Sequence, residues 1–207
     1  MTTVGLDINE GGKPAAIAVA RTEQRNDERG KQRTHYKVWI LERLSGKPDD
    51  EAVKRVAEIV DEAMRQDRSK YKPALYGNVT ATGKPVLGAL RGNGVRARMI
   101  PAYLTPGDGR PEEEDGELRL GQGWLLSRLQ ELVQAEQLDV LDPSLAKELE
   151  QELMDWRPGD DSLGSLTTAV GLAVWRIPME VRARVVGGRT GGLRMRREMG
   201  EFLDRAS

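Results

Sequence analysis

The apolar residues of this chain change their spacing part-way along it, and that change decides what it can fold into. Up to about residue 44 they come in short runs: Val4 with Leu6, then Ala16 to Ala20, then partly alternating positions that include Val38 and Ile40. From Asp49 onward they recur every three or four residues, with Val53, Val56, Ala57, Val60 and Met64 on one face. Short or alternating apolar runs make strands, and the longer period makes amphipathic helices. The chain must therefore lay helices on a sheet. Gly11-Gly12 between the first two runs predicts a β-hairpin, and Tyr36 to Leu44 predicts a third antiparallel strand. Residues 21 to 33 are polar and Arg-rich and are expected to form a long solvated connection.

Beyond the first helix, strand and helix signals alternate. Pro73 to Tyr76 predicts a buried strand, and Lys84 to Leu90 a short helix that ends at Gly92 or Gly94. Val95 to Leu104 predicts a further strand. The acidic, Gly- and Pro-bearing stretch from Pro106 to Glu117 is expected to be a loop. Two amphipathic helices follow, one around Trp124 to Val133 and one around Leu145 to Trp156, with Leu138 to Leu141 as a short strand or extended connection. The segment from about Ser162 to Ile177 is apolar nearly all round, so it is expected to be a central helix, closed by Pro178. The predicted class is α/β, a mixed sheet flanked by helices. Residues 1–178 form the expected domain, and residues 179–207 a basic Gly/Arg-rich C-terminal arm.

Composition removes several chemistries. The 207 residues include no Cys and one His, His35, which excludes thiol nucleophiles, thiolate metal sites and two-histidine zinc sites. Catalysis would have to come from carboxylates, hydroxyls, Lys or a borrowed cofactor. No apolar run approaches the roughly 20 residues that span a bilayer, and the N-terminus lacks a signal pattern, so the expectation is a cytoplasmic protein with no membrane partner. Gly77 to Lys84 has two glycines before a lysine. It places five residues between them and a proline after the lysine, so it reads as a strand-turn-helix connection rather than a phosphate loop. Asp7, at the end of the first strand beside a glycine turn, is the candidate metal ligand, although an Asp there is commonly a turn former.

Four stretches, in order, carry a resemblance. They are Val4-Gly5-Leu6-Asp7 with the following Ala-Ile-Ala-Val strand, Asn78 to Val86, Leu125 to Leu132, and Leu163-Gly164-Ser165-Leu166 through Trp175. Together they resemble the ribonuclease H-like nuclease domain of the large terminase subunit of tailed phages. The resemblance implies a ribonuclease H-like mixed sheet and, in an active member, two Mg²⁺ or Mn²⁺ ions held by acids on the first strand, at an Asp-Ala-Thr-Gly turn and on the last helix. It places Asp7, Asn78 and Asp161 as the catalytic positions, with Asp7 and Asp161 as metal ligands.

The chain departs from that pattern at two positions. Asn78 stands where the family has an acid, and Gly164-Ser165 stand where it has an acidic pair. Asp160 and Asp161 lie one helical turn earlier and are expected to cap the last helix, with Asp161 the only one in reach of a metal. Glu10, in the first turn, is a further candidate acid. Two divalent ions need more carboxylates than Asp7 and Asp161 supply. No Walker motif occurs, so the motor that accompanies the nuclease in a whole large terminase is not expected.

Charge is segregated. Residues 21 to 47 carry eight cations against four acids, and the tail from Pro178 seven against four. Arg29, Lys31, Arg33, Arg194, Arg196 and Arg197 are the candidate nucleic-acid contacts. The expected partners are double-stranded DNA or a phage packaging or head protein, in the bacterial cytoplasm or associated with the virion. Three readings remain open at this level: an impaired terminase-nuclease-like binding protein, a working two-metal endonuclease, and a purely structural interaction module.

Overall fold

Thr2–Asp7 forms the first strand, β1, and runs through the middle of the molecule because both of its faces are covered. The structure, a computed structural model, describes residues 2–8, 15–26, 30, 32–44, 50–67, 72–80, 83–157 and 163–176. After β1 come β2 (Ala15–Asn26), β3 (Gln32–Leu44), α1 (Asp50–Gln66), β4 (Ala74–Asn78), α2 (Gly83–Gly92) and β5 (Arg98–Thr105). The remainder is β6 (Glu112–Glu114), β7 (Glu117–Gly121), α3 (Gln122–Gln134), β8 (Leu138–Val140), α4 (Pro143–Asp155) and α5 (Ser165–Val174). The chain divides into a unit of residues 1–175 and a second unit of residues 176–207, of which only Arg176 is described.

The strands make one sheet in the order β6-β7-β5-β4-β1-β2-β3-β8. β1, β2 and β3 are an antiparallel meander, and β4, β5 and β7 run parallel to β1. Alternation along each strand sorts side chains onto two faces. Val4, Leu6, Ile17, Val19 and Leu75 point to one face and pack under Val53, Val56, Ile59 and Val60 of α1 and Leu87 and Leu90 of α2. Ala16, Ala18 and Ala20 point to the other, beneath Leu166, Ala169, Val170 and Ala173 of α5. A third cluster joins Tyr76, Ile100 and Leu118 to α3 and α5, closed by Trp175, whose ring meets Tyr76 edge-on at 5.4 Å.

The small residues under α5 decide how close it comes. A Cβ at Gly5 would run into the Ala169 carbonyl and stand 2.7 Å from the Ala173 nitrogen, so only glycine lets α5 lie directly on β1. All ten residues of α5 are buried, as its all-round apolarity predicts. Asp142 caps α4 by accepting from the Ser144 and Leu145 amides at 2.9 and 3.1 Å, and Pro143 occupies the first helical position.

Two expectations need correction. Residues 21 to 33 are not a simple connection: β2 runs on to Asn26 and β3 begins at Gln32, paired through Arg25↔Arg33 and Asn26↔Gln32. A ribbon solvated on both faces shows no apolar alternation, which is why its sequence reads as a loop. The stretch from Pro106 to Glu117 holds β6 and the start of β7. The three glutamates of β6 form an exposed, charged edge strand, a composition that blocks edge-to-edge pairing. The last helix starts at Ser165 with Gly164 as its N-cap; Asp160 and Asp161, expected to cap it, lie outside the described residues.

Candidate functional site

β1 and β4 are parallel neighbours with Leu6 opposite Gly77, so their last residues, Asp7 and Asn78, stand side by side at the carboxyl edge of the sheet. Both lie on the face covered by α5, the face to which Gly5 and Tyr76 also point. Asp7 is 1% exposed. Asn78 donates from Nδ2 to Asp7 Oδ1 at 2.7 Å.

The direction of that amide is fixed by chemistry. Asn78 Oδ1 accepts from the Thr80 backbone N–H at 3.1 Å and from the Thr80 hydroxyl at 2.7 Å. A backbone N–H can only donate, so the amide oxygen must face Thr80 and the NH₂ must face Asp7. The Thr80 hydroxyl is in turn held by the Leu104 N–H of β5 at 2.9 Å. A relay therefore runs from β5 through Thr80 and Asn78 to the Asp7 carboxylate. Asn78 presents a donor to that carboxylate, whereas a metal ligand would present an oxygen.

The N-terminus of α5, where the resemblance puts acids, is served from elsewhere. Glu152 of α4 accepts from the Thr167 N–H at 2.9 Å and the Thr167 hydroxyl at 3.1 Å through Oε2. Thr167 is the third helical residue, so Glu152 supplies a cap from another helix. A Cβ at Gly164 would collide with the Glu152 carboxylate, which explains glycine there. Arg43 of β3 binds the same group: Nη2 donates to Glu152 Oε1 at 3.0 Å, Nε to Glu148 at 2.9 Å and Nη1 to the Ser165 hydroxyl at 3.0 Å. Burial pulls the Arg43 guanidinium down, but its hydrogen bonds to Glu148 and Glu152 outweigh that and hold it above its ordinary value. Register places Arg43 opposite Ala16, which is opposite Asp7.

The structure thus brings Asp7 and Asn78 together. Asp161, Glu10, Arg29, Lys31, Arg194, Arg196 and Arg197 lie outside the described residues. Arg33 sits on β3 at the outer part of the ribbon. Arg43 is bound up with carboxylates at α5, although by sequence it belongs to the basic segment 21–47. Thr80 and Glu152 were not marked as site residues by sequence. Thr80 lies inside the quoted Asn78 to Val86 motif, while Glu152 carries no local signal.

Among the described residues no three His, Asp or Glu side chains are grouped so as to hold a metal ion. Asp7 beside an inward-facing amide N–H does not fit the oxygen-rich shell that Mg²⁺ or Mn²⁺ takes.

The architecture, a mixed sheet with helices on both faces and its candidate site at the carboxyl end of the central strand, is ribonuclease H-like. Three solved structures are similar to this chain. The human cytomegalovirus terminase nuclease domain, Mn-soaked, matches with a TM-score of 0.50 at 9% identity, covering 84% of this chain and 82% of that one. The nuclease domain of the large terminase g2p of bacteriophage SPP1, with bound Mn, matches with a TM-score of 0.46 at 13% identity over 84% and 85%. Thermus thermophilus RuvC matches with a TM-score of 0.39 at 17% identity over 84% and 90%. No protein-family model and no curated protein matches the chain by sequence.

Proposed function

We propose that this chain is a terminase-nuclease-like protein of phage or prophage origin that binds DNA or a packaging or head-assembly partner, with metal-dependent cleavage impaired. One observation carries the reading: the amide NH₂ of Asn78, locked by Thr80, faces the carboxylate of Asp7. Two-metal phosphodiester cleavage needs several carboxylates converging on the ions. Here the neighbour of the first-strand acid is a neutral donor, and the start of α5 offers Gly164 and Ser165. Glu152, the carboxylate that reaches α5, is already engaged by Thr167 and Arg43. The DNA part of the proposal rests on the fold, on its likeness to the human cytomegalovirus terminase nuclease domain and on the basic segments of the sequence. Among the described residues no helix is long and apolar enough to cross a membrane, in keeping with a partner in solution.

Calorimetric titration of the full chain with Mn²⁺, paired with cleavage of supercoiled plasmid in Mn²⁺, tests this reading. We expect no saturable heat above that of an Asp7→Ala variant and no nicking. Saturable binding lost in Asp7→Ala, together with plasmid cleavage, would establish the endonuclease alternative, with Asp7 and Asp161 as ligands, and overturn the proposal.

A further inference from the structure

We propose that one face of the β2–β3 ribbon is a docking surface for the phosphate backbone of duplex nucleic acid; this rests on the DNA-binding part of the function proposed above. The ribbon outruns the sheet. Pairing of β2 with β1 ends at Thr2↔Arg21, and pairing of β3 with β8 begins at Tyr36↔Leu138. From Glu23↔His35 to Asn26↔Gln32 the two strands pair with each other, with no third strand beside them among the described residues.

Alternation sorts the ribbon cleanly. Arg21, Glu23 and Arg25 of β2 and Arg33, His35 and Lys37 of β3 share one face. Thr22, Gln24 and Asn26 share the other with Gln32 and Thr34, and Gln24 donates across to the Thr34 hydroxyl at 3.0 Å. One face is therefore cationic and the other is neutral.

The cationic face is arranged against its own ladder. Arg25 stands directly opposite Arg33, and like charges in that position destabilise a strand pair. An anion laid across the ribbon would meet both guanidinium groups. Glu23 and Asp139 already hold some of these cations: Arg21 to Glu23 at 3.0 Å, Arg25 to Glu23 at 3.1 Å and Arg25 to Asp139 at 2.8 Å. The side chains of Arg21 and Arg25 are 48% and 40% exposed. Pairs that open to water are weak, so they steer the guanidinium groups without outcompeting phosphate. Arg25's hydrogen bond, ahead of Arg21's pull, holds the Glu23 carboxyl below the usual range.

The form of the nucleic acid follows from what the ribbon lacks. Single strands are gripped by bases stacked on aromatic rings. Across residues 21–26 and 32–37 the one Phe, Tyr or Trp is Tyr36, which is 2% exposed and packed into the core. A two-stranded β-ribbon fits the roughly 12 Å major groove of a duplex, where Arg and Lys reach the flanking phosphates. Such contacts position without reading sequence, so binding is indifferent to sequence.

Anisotropy titration of the full chain against a fluorescent duplex, from about 50 to 200 mM salt, tests the inference. Wild type should bind with a steep negative slope of log affinity on log salt, and more tightly to duplex than to single strand. Arg25→Ala with Arg33→Ala should flatten that slope by about 2 units and weaken binding by ~10-fold or more at low salt. Gln24→Ala with Gln32→Ala, on the neutral face of the same ribbon, should leave slope and affinity unchanged, separating lost contacts from a lost ribbon. If wild type binds but the arginine variant keeps its slope, the ribbon is overturned while DNA binding stands. Loss of affinity by the glutamine variant equal to that of the arginine variant also overturns it. Tighter binding to single strand overturns the duplex assignment. No binding even at low salt overturns the DNA reading and this inference with it.

Discussion

Asn78 differs from aspartate by one group, yet that group reverses what its neighbour experiences. The amide N–H gives Asp7 a hydrogen bond at 2.7 Å, where a second carboxylate would give repulsion relieved only by a cation. Asn78→Asp should therefore lower stability by about 1–3 kcal/mol in EDTA, and Mn²⁺ should raise the melting temperature of the variant more than that of wild type. Thermal unfolding with and without the ion measures both. Thr80→Val removes the hydroxyl that accepts from Leu104 N–H and donates to Asn78, at a cost of about 1–3 kcal/mol by denaturant titration. At Tyr36, burial raises the phenol above its ordinary value, opposed by the nearby Arg128. The unfolded chain loses this proton first, so the contribution of Tyr36 to stability is complete below about pH 10 and is lost as pH rises toward the folded value. An alkaline absorbance titration should show a late phenolate component that Tyr36→Phe removes. Asp7 was legible as the end of the first strand, whereas Asn78 was expected in the turn after Tyr76 and joined Asp7 only through the family resemblance. The lock on Asn78 was not legible, since its last donor, Leu104 N–H, is on a different strand.

Elements, like residues, are specified partly from outside themselves. α5 begins with Gly164 and Ser165 and carries no acid in its first turn, yet its exposed N–H groups are met by Glu152 of α4. Glu152→Ala should cost about 1–3 kcal/mol by removing that cap and one of the two carboxylates that hold Arg43. Hydrogen exchange at the Thr167 amide should accelerate in the variant, while α1 stays protected. The helices and the buried strands announced themselves by period, with boundaries close to those observed. The ribbon and β6 did not, because strands wet on both faces or wholly charged carry no apolar alternation. Their pairing partners, rather than their composition, make them strands.

At the scale of the whole molecule, the sheet order is set by which faces can touch. α5 crosses β1 and β2 over glycine and alanine, and that close approach sets the Asp7–Asn78 edge beneath the helix start. Gly5→Ala should disrupt the fold by more than about 4 kcal/mol, because the colliding atoms are backbone and cannot step aside. Circular dichroism and yield of folded protein would register the loss. The sequence by itself determined the α/β class, the meander at the start, the buried last helix and the placing of Asp7 at a strand end, since these follow from local period and turn chemistry. Tertiary structure decided which way the Asn78 amide points, that Glu152 and Arg43 meet at α5, and that Arg21, Arg25 and Arg33 fall on one face of a ribbon. Those outcomes depend on groups brought together from distant parts of the chain, and local sequence carries no signal for contacts made only on folding.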